Sequence, residues 1–260
     1  MLLVSVAYGQ QTPELNAGYR DMYNLQFDAA HRFFQAWEST HADDPMGPVS
    51  DAAAYLFAEF DRLHILESEL FTNDSAYLDR KKLMPDPQVK RAFEAQLDKA
   101  DRLAEKALAK NQDDANALFA RIMVLGLRGD YAALIEKRNM AGLTYIKNGR
   151  ALAERLLAEH PDYYDAYLAV GVENYLLSLK PAPVRWFLRI AGAQTDRDLG
   201  LQKLRITAEK GHYLLPYARL LLAVAALRDK DRTQAKTLLA GLAGEFPANP
   251  LYAKELAKLQ

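Results

Sequence analysis

Residues able to do chemistry are sparse in this 260-residue chain, and their spacing excludes most of it. The five histidines, His31, His41, His64, His160 and His212, contain no H-E-x-x-H pair and no recognisable metal triad. His64 and Glu67 stand one turn apart on a helix face, a spacing that usually gives a surface contact. Cysteine is absent, which removes thiolate nucleophiles, disulfides and cysteine-based zinc sites together. No serine sits in a G-x-S-x-G turn, and the glycines form neither G-x-G-x-x-G nor a phosphate-binding loop. The expectation is a non-enzymatic chain with no catalytic residue, no metal and no cofactor.

Two clusters suit recognition better than reaction. Tyr163, Tyr164 and Tyr167 gather at the start of a helix, where rings could stack on a sugar or a base. No basic stripe is interleaved with them, and 33 lysines and arginines against 34 acids leave a formal charge of -1. Nucleic acid is therefore not an expected partner. The second cluster is Trp186, Phe187, Leu188 and Ile190, flanked by Lys180, Arg185 and Arg189. Apolar bulk beside positive charge suits a partner hot spot or contact with a membrane surface, with Arg185, Trp186 and Arg189 as the contact residues. The favoured reading is nonetheless packing on the chain's own body, with the basic groups reaching outward.

Helices must position these groups. Phe93, Leu97, Ala100, Ala104, Ala107 and Leu108 recur at three- and four-residue steps and make one apolar face. Asn111 to Asp114 close that helix and cap the next, expected over Ala115 to Arg128, with a break at Gly129 and Asp130. A further helix is expected over Val49 to Leu66, and one after Asp130 through Ile146, with Gly142 and Gly149 as bends. Pro161 and Pro247 end two others. Small residues punctuate the pattern: Ala30, Ala100, Gly149 and Ala235 each stand seven places before Trp37, Ala107, Leu156 and Leu242, and Gly200 stands eight before Ala208. Such an echo predicts a stacked helix-turn-helix unit in which helix axes approach closely at the small residues.

The positions of Pro161, Tyr167, Gly171, Ala235 and Pro247, with the turn Asn24-Leu25-Gln26-Phe27-Asp28-Ala29-Ala30, resemble tetratricopeptide repeats (TPR). The segment Lys180 to Gly192, followed by Asp196 to Leu201, is similar to part of the tetratricopeptide-repeat-39 and inclusion-body-clearance group. The resemblance implies an all-α fold: an irregular TPR-like superhelix, or solenoid, of about five helical pairs. The small residues recur at intervals of 70, 49, 51 and 35, against about 34 for regular repeats. A single domain over 10–260 is therefore expected to carry inserts near 67–88, 135–149 and 178–195. In such a fold the first helix of each pair lines the concave face, which puts Phe119, Met123, Leu168, Val172, Tyr175, Leu220 and Val224 there. These positions suit a protein or peptide partner, or become core if the inserts fill the groove.

The apolar run Leu2 to Ala7, with Ala7 and Gly9 before Gln10, resembles the tail of a secretory signal over 1–9. Export to a periplasm or cell envelope is expected, with a cytoplasmic location as the alternative. No stretch reaches the roughly 20 apolar residues of a membrane span. The function expected is an interaction scaffold or adaptor. The alternatives are a small-molecule binder or enzyme with its site between inserts and groove, and a structural subunit of an envelope complex.

Overall fold

Helix starts follow from side chains that satisfy the first backbone N–H groups. Asp86 accepts from the amides of Gln88 and Val89 with Pro87 in the first turn, and Asp114 accepts from Ala117. Asp196, Asp231 and Asn249 do the same for Leu199, Gln234 and Leu251. The computed structural model describes residues 15–66 and 83–259. The signal-like run over 1–9 and most of the insert expected near 67–88 lie outside the described residues.

Among the described residues all regular structure is helical. The α-helices are α1 (Leu15–Tyr23), α2 (Phe27–Thr40), α3 (Met46–Arg62), α4 (Pro87–Lys110), α5 (Ala115–Asp130) and α6 (Asn139–Glu159). They continue as α7 (Tyr167–Ser178), α8 (Ala182–Ile190), α9 (Arg197–Lys210), α10 (Leu215–Arg228), α11 (Arg232–Glu245) and α12 (Pro250–Ala257). A π-helix, Tyr131–Ile135, follows α5, and a 3-10 turn, Tyr164–Ala166, precedes α7. Each helix packs on its successor in chain order, except that α7 packs on α9 past the short α8, and α3 also meets α5.

Close approach explains the small residues. Ala30, Ala100 and Ala235 are fully enclosed. A Cβ on Gly200 would lie 2.5 Å from the Tyr175 amide nitrogen, and one on Gly171 would lie 2.9 Å from Leu204 Cγ, so α7 and α9 touch backbone to backbone. The break expected at Gly129 and Asp130 is absent, because Gly129 faces Tyr145 and Ile146 and lets α6 lie against α5. The chain instead turns at Lys137, whose φ of 56° is left-handed. Gly142 and Gly149 are likewise contact points of a continuous α6, not bends: Gly142 faces Ala133 and Gly149 faces Leu125.

The first described helix meets the last part of the described chain. The Tyr23 hydroxyl donates to the Tyr213 carbonyl (2.9 Å), and the Asn249 amide donates to the Tyr23 carbonyl (2.9 Å). The Ala248 N–H donates to Asn24 (3.1 Å), and the Tyr19 ring stacks on Tyr213 at 4.6 Å. One apolar core consequently runs from Leu15 to Leu259, with a smaller cluster between α7, α9 and α10.

Candidate functional site

The positions expected to line an open concave face divide in two. Phe119 and Met123 are buried: the Tyr19 hydroxyl of α1 contacts Met123 Sδ (3.8 Å), and Tyr163 packs on Phe119 at 4.9 Å. Leu168 and Tyr175 are buried in the cluster between α7, α9 and α10, against which the half-buried Val172 also packs. Phe119, Met123, Leu168 and Tyr175 are core and not a partner surface, while Val172 keeps part of its surface exposed. The occupant is internal, since the apolar edge of α1 (Leu15, Tyr19, Met22, Tyr23) is itself fully covered. Tyr19 also shares a hydrogen bond with Ser50 of α3 (2.8 Å), so α1 bridges α3, α5 and the start of α10.

Leu220 and Val224 on α10 differ, for both stay half-buried and line open space. A shallow cleft is walled by Phe60, Leu66, Leu134, Leu220, Val224 and Leu239. A second small space shares Leu66, Leu220 and Leu239 with it and reaches Met22, Tyr23 and Phe57. Tyr217 stands on the wall, and behind it lies Asp130, whose carboxylate accepts from the Tyr217 hydroxyl at 3.5 Å. Burial pushes the Asp130 carboxyl up to about 7, and this long contact offsets little of that. The cleft is thus mainly apolar, with the buried acid Glu255 on its wall and Asp130 behind Tyr217, and is suited to holding apolar side chains.

The best-developed polar cluster lies between α2, α3 and α4. His31 Nδ1 meets Asp51 Oδ1 at 2.5 Å, Gln96 donates to Asp51 Oδ2 at 2.9 Å, and Lys99 pairs with Glu38 at 2.5 Å. Desolvation raises the Glu38 carboxyl against the pull of Lys99. A His–Asp pair is half of a nucleophile-activating relay. The neighbouring Ser50 hydroxyl, however, is bonded to Tyr19, and the Tyr55 ring covers the imidazole at 4.0 Å. The cluster therefore ties three helices together. Sequence spacing could not reveal it, because its members come from separate helices. Among the described residues no group of three or more histidines and acids could hold a metal ion.

A second buried acid, Asp165, accepts the backbone N–H groups of His212 (2.9 Å), Tyr213 (2.9 Å) and Leu214 (3.1 Å). It fixes the turn that carries Tyr213 against α1. Of the tyrosine cluster, Tyr163 fills the wedge beside Phe119. Tyr164 and Tyr167 lie under Lys210 and Lys203 at 5.3 and 4.9 Å.

The segment expected to fold onto the body does so in part, with Arg185 and Leu188 half-buried. Arg185 donates to the carbonyls of Ser178 (3.4 Å) and Lys180 (2.8 Å), and Arg189 donates to Thr195 (2.7 Å). Trp186 of α8 is nevertheless 59 % exposed, Ile190 66 % and Val184 44 %. Among the described residues no helix is long and apolar enough to cross a membrane. Compared with models of known families, with curated proteins and with solved structures, the chain finds no match.

Proposed function

We propose that this chain is a non-enzymatic interaction scaffold, an irregular TPR-like solenoid that holds an apolar partner segment in the cleft along α10. The observation that carries the reading is the half-buried pair Leu220 and Val224 on the wall of a shallow, mainly apolar cleft. A preformed groove holds a helix or extended peptide with little reorganisation, which spares the ordering cost of association. The seating of α1 supports the same chemistry, since Phe57 of α3, Met123 of α5 and Tyr213 of the turn before α10 already grip one short amphipathic helix. With Met123 covered by α1 and Phe119 by Tyr163, a partner in trans is left the α10 side. The signal-like start supports a cell-envelope setting.

Affinity capture from cells with the full chain and with Leu220→Lys tests this. A discrete protein recovered by the wild type and lost in the variant, at unchanged melting temperature, is the expected result. A metabolite retained in the native mass spectrum without any protein partner would replace the scaffold with the small-molecule binder.

A further inference from the structure

We infer that α8 is a membrane-surface anchor, its exposed apolar edge entering the interfacial layer of an anionic bilayer while Lys180, Arg185 and Arg189 meet the lipid phosphates. It is independent of the cleft reading, because α8 contributes no residue to the cleft wall. Trp186 and Ile190 stand four residues apart and so share one helix face, and Arg185 and Arg189 share the adjoining one. Exposed tryptophan and isoleucine beside guanidinium groups match the two layers of a lipid interface, acyl boundary and headgroup.

Charge selects the occupant. Between Glu173 and Asp196 the sequence holds no acidic residue and three basic ones. The acids nearest in the fold are engaged: Glu173 is buried and accepts from Arg150 (2.8 Å) and the Gln194 N–H (2.9 Å), and Glu154 pairs with Arg150 (2.5 Å). The surface offered is thus cationic, which an anionic bilayer complements.

The exposure is also built. The strap after α8 is fastened from below: Asn174 donates to Gln194 (2.8 Å) and accepts from the Asp196 N–H (3.1 Å), while Lys147 donates to the Ala191 carbonyl. A buried polar network therefore holds α8 with Trp186 and Ile190 facing outward.

The test uses the full chain with vesicles of phosphatidylglycerol and phosphatidylcholine in equal parts, and of phosphatidylcholine alone. Trp37 is buried at 4 % exposure, so any lipid-induced change in tryptophan emission reports Trp186. Expected are co-sedimentation with the anionic vesicles, a blue-shifted emission, weakening in 0.5 M salt, and at least tenfold weaker binding for Trp186→Ser with Ile190→Ser at unchanged circular dichroism. The inference is overturned if anionic vesicles do not bind, or if the double variant binds them equally well. It is also overturned if the exposed edge instead mediates a concentration-dependent dimer or a lipid-independent protein complex lost in the same variant. Loss of vesicle binding leaves capture through Leu220 intact, so the two readings fail separately.

Discussion

Replacing Asp130 with asparagine is expected to stabilise the protein, and to do so more at pH 8 than at pH 5. The Asp130 carboxyl is pushed by burial from an ordinary 3.8 up to about 7. Below the lower value both folded and unfolded chains hold the proton. Between the two values only the folded chain holds it, so stability falls as pH rises, by about 1.4 kcal/mol per pH unit. Above about 7 the full cost of a buried carboxylate is present, near 4 kcal/mol at most. Part of the side chain remains open to solvent, which screens it. The gain from Asp130→Asn should thus grow by about 2 kcal/mol between pH 5 and pH 8. Differential scanning calorimetry of both proteins at the two pH values reads this as an extra Tm shift of roughly 4 to 8 °C at pH 8. The other groups titrate alike in both proteins and cancel. A gain that is the same at both pH values, or a loss at pH 8, would refute a buried, poorly solvated acid behind Tyr217.

Glycine positions give a change of sign. Gly200→Ala is expected to destabilise by about 1 to 3 kcal/mol, since the new methyl meets the Tyr175 backbone, whereas Gly241→Ala, with open space around it on α11, should stabilise by about 0.5 to 1 kcal/mol. Urea denaturation decides, and equal signs would contradict the α7–α9 contact. Ala100→Leu and Ala235→Leu, at fully enclosed positions, should each lower Tm well below Ala109→Leu, whose side chain is exposed on the same helix as Ala100. Asp165→Ala removes the acceptor of three backbone N–H groups and should cost at least about 3 kcal/mol. Hydrogen exchange should then accelerate at residues 212–214 ahead of the rest of the chain.

The helices themselves were legible because their signals are local. Asp114 announces a helix start through a bond three residues away, as the capping reading of Asn111 to Asp114 expects. The three-four spacing from Phe93 to Ala104 states which face is buried. What a buried face packs against is not local. The contacts that seat α1 join residues 190 and 226 positions apart, so nothing near Tyr23 in sequence announces Tyr213 or Asn249. Phe119 and Met123 consequently read as a partner surface, although Tyr163 covers the one and the chain's own first helix the other. Asp130 beside Gly129 reads as a break for the same reason, since its enclosure depends on Tyr217, 87 residues on. The exposure of α8 was hidden differently. An amphipathic pattern with flanking arginines looks the same whether its apolar side faces a protein core or the outside.

The most direct test of the cleft along α10 is site-specific photocrosslinking in cells, with a benzophenone side chain placed at Leu220, at Val224 and, as an exposed control, at Ala109. A partner segment lying in the cleft gives the same discrete protein adduct from Leu220 and Val224 and none from Ala109. No adduct from either cleft position, or one pattern from all three, would contradict it.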